Sequence, residues 1–413
     1  MYNKTVLSNG IKIVSETIPH FRSVTIGVWV GTGSRNEAND IQGVSHFIEH
    51  LMFKGTASRS AKDIADTVDA VGGQLNAFTA KEYTCYYMKV LDSHLELALD
   101  VLSDMLTASL FKPEDIERER KVILEEIHMY QDSPEDMVHD LHMENVWPNH
   151  PLGSNILGTL ASVASLQPAM IIDYYRKFYT PDNLVIAAAG NLQHQELVAL
   201  AEKYFGAMTG TKPKLAFDPP AWHVTQKVFN KDIEQVHLCL GTEGVPYDAP
   251  KTYPLFLLNN LLGGGISSRL FQSIREERGL AYTVYSYLSS YCDAGVMTIY
   301  AATSPKNAQE VLDLILANLR DIVKKGISSQ ELKKSQEQLK GNLMLGLESS
   351  SSRMTRLGKQ ELMLGRFETL DDVVRKIEAV TVDDLNNLAR HILHENRFSL
   401  TVLGPLDKEL IIR

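Results

Sequence analysis

Cysteine is scarce in this sequence, and the few cysteines are widely separated. Of 413 residues only Cys85, Cys239 and Cys292 are cysteines, and none forms a CxxC pair. This odd number and wide spacing exclude both a disulfide framework and a cysteine-ligated metal. We therefore expect a protein of a reducing compartment.

Long apolar runs are also missing. No run approaches the ~18 residues that a membrane-spanning helix needs. The opening residues 1–10 lack the unbroken apolar segment of a signal peptide and are typical of a short strand entering an Asn-Gly turn. These absences predict a cytoplasmic protein without a membrane partner.

Positive charge is in the minority. Lys and Arg number 41 against 51 Asp and Glu, a formal net charge of -10. That balance opposes attraction to phosphate backbones and predicts no nucleic-acid partner. The remaining composition, 44% hydrophobic and 22% charged, is that of a globular protein.

The chain is long enough for two domains, and its sequence repeats itself at an offset of roughly 210 residues. Residues 28–32, Val-Trp-Val-Gly-Thr, are echoed by residues 238–242, Leu-Cys-Leu-Gly-Thr. The predicted helix Pro113–Tyr130 has a counterpart at Ser329–Leu345. The repeat predicts two similar α+β domains, 1–210 and 224–413, joined by a proline-containing linker, 211–223.

The residues His46-Phe-Ile-Glu49-His50 lie in a predicted helix, Gly43–Lys54. Residues four apart share a helix face, so His46 and His50 can direct ring nitrogens at one metal ion. Glu49 lies at the edge of that face, where a general base can approach water without binding the metal. In a chain of this composition, an HxxEH pentapeptide is expected by chance on the order of a few per cent of the time. The pentapeptide therefore needs support from other residues.

Support comes from the helix Pro113–Tyr130, because a catalytic zinc takes a third protein ligand and keeps one position open. Glu126 lies ~60° around the helix from the buried Ile123, whereas Glu125 points to the far side. Glu126 is therefore the predicted ligand. Glu119, two turns earlier on the same face, could hydrogen-bond a ligand histidine. Both could instead be surface charges.

The motifs resemble those of the pitrilysin and mitochondrial processing peptidase family of inverted-motif zinc peptidases, in its short bacterial processing-protease branch. The matching segments are residues 46–56, the Glu119–Glu126 helix, residues 72–79 and residues 267–271. The resemblance implies two mostly antiparallel β-sheets packed with helices, a substrate cleft enclosed between the domains, and one Zn²⁺ per chain. It also implies a homodimer.

Further site residues are implied by the same resemblance. Asn76 and Ala77 fall on an edge strand that receives the substrate as an added strand. Arg275 and Tyr282 match residues that hold the substrate carbonyl. The resemblance thus gives four catalytic residues: Glu49, Glu119, Arg275 and Tyr282. Asp136 and Asp140 match acids that read substrate arginine. Each has a plain alternative: a strand end for Asn76, helix-surface charges for Arg275 and the two acids, and a half-buried strand position for Tyr282.

The repeat provides an internal comparison that does not depend on the family. At the repeat offset His46, Glu49 and His50 align with Phe256, Asn259 and Asn260, and Glu126 aligns with Asn342 once a small insertion is allowed. The second copy therefore lacks the metal ligands. We predict a catalytic first domain and a second domain that completes the substrate cleft.

The predicted function is a zinc metalloendopeptidase acting on short or unfolded peptides, including those with basic residues. His46, His50 and Glu126 would hold the metal, and Glu49 would be the base. Two alternatives stay open: a non-catalytic relative used for assembly or peptide binding, and a structural zinc site. Structural sites, however, are closed by four protein ligands and are commonly cysteine-rich.

Overall fold

A computed structural model of the protein describes residues 1–215, 217–406 and 410–412. Ala216, inside the predicted linker, and residues 407–409 and 413, at the end of the predicted second domain, lie outside the described residues. The described chain packs into two compact units. The first comprises residues 1–129, 155–217 and 345–367, and the second comprises residues 130–154, 218–344 and 368–413.

The first unit is built on a six-stranded sheet. Its strands are β1 (Tyr2–Val6), β2 (Lys12–Thr17), β3 (Ser23–Val30), β4 (Gln74–Thr79), β5 (Thr84–Leu91) and β6 (Leu184–Gly190). They lie in the order β1-β2-β6-β3-β5-β4, in which β2 and β6 are parallel and every other neighbouring pair is antiparallel. β4 is thus an edge strand.

The second unit carries a five-stranded sheet of matching topology. Its strands are β7 (Gln226–Phe229), β8 (Val236–Glu243), β9 (Ala281–Ser290), β10 (Gly295–Thr303) and β11 (Ser399–Leu403). The order β7-β11-β8-β10-β9 repeats β2-β6-β3-β5-β4, and again the first pair is parallel and the others are antiparallel. The predicted duplication and the predicted α+β fold with mostly antiparallel sheets are confirmed.

Helices cover both faces of each sheet. Those whose sequence lies in the first half are α1 (Val44–Leu51), α2 (Ala61–Asp69), α3 (Leu95–Ala108), α4 (Pro113–Gln131), α5 (Pro134–Val146), α6 (Leu160–Ser165), α7 (Pro168–Phe178) and α8 (His194–Phe205). The others are α9 (Thr252–Gly263), α10 (Ala308–Lys325), α11 (Ser329–Gly346), α12 (Ser350–Leu364), α13 (Leu370–Glu378) and α14 (Val382–Ile392). Among these described helices, none combines the length and the apolar character that a bilayer crossing requires.

Two helices pack with the half of the chain to which they do not belong in sequence. In the first unit α12 covers one sheet face, where the Trp29 indole N–H points at Met354 Sδ, 3.4 Å away, and Lys4 pairs with the buried Glu361 at 2.7 Å. In the second unit α5 contributes Val138 to a cluster with Tyr300. The compact units thus differ from the contiguous ranges 1–210 and 224–413 by these two segments.

Candidate metal centre

Helix α1 is positioned by a buried carboxylate rather than by a cap of its own. It begins after Gly43, whose φ of 92° favours glycine and where a Cβ would lie 2.5 Å from the Leu157 carbonyl oxygen. The Glu37 carboxylate accepts the backbone N–H groups of Gly43 at 2.7 Å and Ser45 at 2.8 Å. A negative group at this end also complements the helix dipole. The predicted helix was too long at its end, since α1 stops at Leu51.

The structure brings the three predicted ligands together. His46 Nε2 lies 3.7 Å from Glu126 Oε2, and His50 Nε2 lies 3.6 Å from the same oxygen. All three ligand atoms lie within 4.8 Å of one another. Glu125, by contrast, is exposed on the other side of α4. The helix register inferred from periodicity is therefore the observed one at these positions.

A supporting contact at Nδ1 leaves the Nε2 atom of His50 for a metal. Glu119, which is buried on α4, accepts from His50 Nδ1 at 3.2 Å and pairs with Lys54 at 2.9 Å. His46 is also buried, and desolvation followed by the charge of His50 lowers the pKa of its ring to about 3. His46 thus stays neutral at ordinary pH, which is the form that binds a metal.

This donor set fits zinc. Two imidazoles and one carboxylate match the three-ligand pattern of catalytic zinc sites, which keep a further position for water. In the part of the chain that the structure describes, no fourth His, Cys, Asp or Glu joins the group. The group is therefore not the closed four-ligand set of a structural zinc site.

Glu49 is separate from this group and is held by the sheet. Its Oε2 accepts a hydrogen bond from the Thr79 hydroxyl, at the end of β4, at 2.5 Å. Desolvation raises the pKa of the Glu49 carboxyl above its ordinary value, while the Thr79 hydrogen bond opposes that rise. A carboxylate with raised proton affinity beside a metal-binding group can accept and return a proton.

The predicted strand-binding residues lie on the open edge of the first sheet. Asn76 and Ala77 are in the middle of β4, whose other side pairs with β5. Asn76 is exposed, and its Oδ1 accepts the backbone N–H of Ala77 at 2.8 Å.

Four further predicted residues lie in the second unit. Arg275 is the last residue but one of a short π-helical segment, Phe271–Glu276. Its guanidinium carbon lies 4.6 Å from the ring centre of Tyr282, which is 77% exposed at the start of β9. Asp136 and Asp140 lie on α5. Asp136 is exposed and accepts from the Ser133 hydroxyl at 2.6 Å, so it already contributes to capping that helix.

The repeat allows the metal group to be compared with its counterpart in the second unit. Asn260 on α9 takes the place of His50, and it donates a hydrogen bond to Ser335 on α11 at 3.0 Å. Ser335 lies at the offset that aligns Glu126 with Asn342, and it therefore takes the place of Glu119. A neutral hydrogen bond has replaced the histidine–carboxylate pair.

Glu37 and Thr79 touch the site and were missed by the sequence reasoning. Thr79 closes a segment that carried the family resemblance, yet nothing in its spacing pointed to Glu49. Glu37 is a single acid in a polar stretch, where a carboxylate is ordinarily a surface group. Only the folded structure shows that Thr79 contacts Glu49 and that Glu37 contacts the start of α1.

The two-unit fold and the group formed by His46, His50 and Glu126 indicate a zinc-binding hydrolase, and comparisons with known proteins identify the family. Residues 12–160 match the family described as Insulinase (Peptidase family M16), and residues 165–339 match the Peptidase M16 inactive domain. An uncharacterized zinc protease of Bacillus subtilis, YmxG, is 46% identical over 98% of this chain and 98% of its own length. The chain belongs to peptidase family M16, the pitrilysin-type family that its motifs indicate.

Other relatives agree with that assignment. An uncharacterized zinc protease of Streptomyces coelicolor is 43% identical over 98% of this chain and 90% of its own length. A crystal structure of a protease from Helicobacter pylori matches with a TM-score of 0.91 at 24% identity, covering 98% of this chain and 99% of that one. At that identity the structural match bears on the fold alone.

Proposed function

We propose that this protein is a zinc-dependent endopeptidase that hydrolyses peptide bonds in short or unfolded peptides. The observation that carries the proposal is the convergence of His46, His50 and Glu126, with the separately tethered Glu49 carboxylate on the same helix as the histidines. The zinc proteases among the relatives support it, as does membership of a peptidase family.

Each residue has a part that follows from its contacts. A Zn²⁺ ion held by the three ligands would supply Lewis acidity, which acidifies water and polarises a peptide carbonyl. Glu49 accepts one proton from the attacking water and returns it to the leaving nitrogen, so that OH adds to the carbonyl carbon and H to the amine. Glu119 fixes the tautomer of His50 by accepting its Nδ1 proton.

The edge strand β4 supports a peptide substrate in extended form. A strand that adds to an open sheet edge binds chiefly through its main chain, which gives affinity with little dependence on sequence. Asn76 and Ala77 are the positions at which we propose this pairing. Such binding requires an unfolded segment, because a residue already paired in a folded sheet or helix has no free main-chain groups.

The experiment that tests the proposed function is digestion of a mixed peptide library by the purified protein, followed by mass spectrometry. We expect internal cleavages that disappear with a chelator and return when zinc is added. Cleavage that persists without metal, or no cleavage by the zinc-loaded protein, would contradict the proposal. The sequences recovered also define the preference.

Narrower proposals on residue roles and on the oligomeric state rest on the resemblance, and a proposal on location rests on the composition. Arg275 and Tyr282 act on the substrate carbonyl, and unchanged kcat/KM in Tyr282→Phe would remove that role. Asp136 and Asp140 favour basic peptides, and equal loss on basic and neutral peptides in the double asparagine variant would return them to surface charges. The protein forms a homodimer in the cytoplasm, and sedimentation and fractionation test those two statements.

A further inference from the structure

We infer that Thr79 is a positioning residue, which orients the Glu49 carboxylate from the same strand edge that is proposed to receive the substrate. The inference rests on the proposed function, because it assigns a role within that reaction. The Thr79 hydroxyl donates to Glu49 Oε2 at 2.5 Å. Among the described residues it is the one hydrogen-bond donor to this carboxylate.

The donor is fixed independently of the helix that it serves. Thr79 is the last residue of β4 and pairs with Thr84 of β5, which is buried and donates from its own hydroxyl to the Thr32 carbonyl at 3.0 Å. Glu49, in contrast, belongs to α1. The hydrogen bond therefore connects a side chain of the metal-binding helix to the edge strand β4, at a position that pairs with a buried residue of β5.

The geometry divides the two oxygens of the carboxylate between two tasks. A carboxylate is an acceptor on both oxygens, and the threonine hydroxyl occupies one lone pair of Oε2. Oε1 has no hydrogen-bond partner among the described residues and is left to accept a proton from water. Without the hydroxyl, the carboxylate can rotate about its side-chain torsions, and small displacements of a reacting group reduce rates steeply.

The position of Thr79 also links this orientation to substrate binding. Asn76 and Ala77 lie three and two residues before Thr79 on the same open-edged strand. A peptide that pairs with this strand is therefore aligned by the backbone that also carries the donor to Glu49. We expect loss of the hydroxyl to affect turnover while leaving the main-chain pairing, and so KM, nearly unchanged.

The test compares two substitutions at Thr79 with a matched control in the full-length, zinc-loaded protein. Thr79→Val keeps the β-branched shape and removes the hydroxyl, whereas Thr79→Ser keeps the hydroxyl. The control is Thr67→Val on α2, a half-buried position where the lost hydroxyl had donated to the Asp63 carbonyl. Thr79→Ala is a second variant without the hydroxyl, in case valine disturbs folding.

We expect Thr79→Val and Thr79→Ala to lower kcat by about 10- to 100-fold, with KM changed by less than about threefold and zinc content unchanged. The kcat of Thr79→Ser should stay within about fivefold of the wild-type value, and the kcat of Thr67→Val should equal the wild-type value. In a Glu49→Gln background Thr79→Val should cause no further loss, because its effect passes through Glu49.

Wild-type kcat in Thr79→Val, a change confined to KM, or equal damage from serine and valine would overturn the inference. So would an undiminished effect in the Glu49→Gln background. These outcomes are distinct from failure of the proposed function, which would appear as a wild-type protein without zinc-dependent cleavage and would overturn both.

Discussion

At the scale of single residues, equivalent positions of the repeat differ in chemistry more than in placement. His50 and Asn260 occupy the same place on α1 and α9, and each hydrogen-bonds the helix that packs beside it. The first pair is a histidine with a carboxylate, and the second is an amide with a hydroxyl. Metal binding has thus been gained or lost by exchanging side chains on one backbone design.

The neighbouring acids Glu125 and Glu126 provide a sharp residue-level prediction. Glu126 lies 3.6 to 3.7 Å from the two histidine Nε2 atoms, whereas Glu125 is exposed. Glu126→Gln should weaken zinc affinity by more than about 100-fold, because it removes a direct ligand. Glu125→Gln should leave affinity unchanged. Competition with a chromogenic chelator measures both, and a reversed order would move the ligand to Glu125.

The sequence could predict this site at the residue scale because the ligands lie on two helices with clear periodicity. The four-residue spacing of His46 and His50 and the face of Glu126 follow from helix geometry alone. Glu37 and Thr79 could not be predicted in this way. The Thr79 contact joins a strand to a helix that is distant in sequence, and the Glu37 contacts join a loop to the start of α1. Local patterns carry no information about such pairs.

At the scale of elements, α1 depends on Glu37 for its start. Burial raises the pKa of the Glu37 carboxyl to about 7, although hydrogen bonds from the Ser45 and Gly43 N–H groups and the charge of Lys81 oppose the rise. A carboxyl whose folded pKa exceeds its unfolded value of 4.5 binds protons more tightly when folded. Its contribution to stability is therefore full below pH 4.5 and is lost as pH rises through about 7.

Glu37→Gln should remove this pH dependence. We expect the free energy of unfolding of the wild type, relative to the variant, to fall by roughly 3 kcal/mol between pH 4.5 and 8. Denaturant unfolding of the metal-free proteins at several pH values measures it, since zinc binding has a pH dependence of its own. A difference between the two proteins that does not vary with pH would contradict the raised pKa.

The elements also show where periodicity stops being informative. The bounds of α4 agree with the predicted helix Pro113–Tyr130 to within one residue. The partners of α5 and α12 could not be read from the sequence, because an amphipathic stripe states that a face is buried and not which sheet buries it. Tyr130, the last residue of the predicted helix, is 39% exposed, as the last turn of a helix often is.

At the scale of the whole molecule, the first unit should depend on a segment from the end of the chain. Helix α12 covers Trp29, Val14 and Val185, all buried within the first sheet. A chain that joins residues 1–129, 155–217 and 345–367 through flexible linkers should be monodisperse and bind zinc. The same chain without 345–367 should aggregate, because it exposes a contiguous apolar face. Equal behaviour of the two in sedimentation and zinc binding would contradict this account.

The central claim is that one zinc ion per chain, together with Glu49, makes this molecule a peptidase. The most direct measurement is a zinc titration of the metal-free full-length protein, with bound metal and cleavage of a fluorogenic peptide recorded in the same samples. We expect activity to rise in proportion to bound zinc and to saturate at one ion per chain. Glu49→Gln should bind the same amount and cleave at least about 100-fold more slowly. Full activity without metal, or wild-type turnover in Glu49→Gln, would contradict the claim.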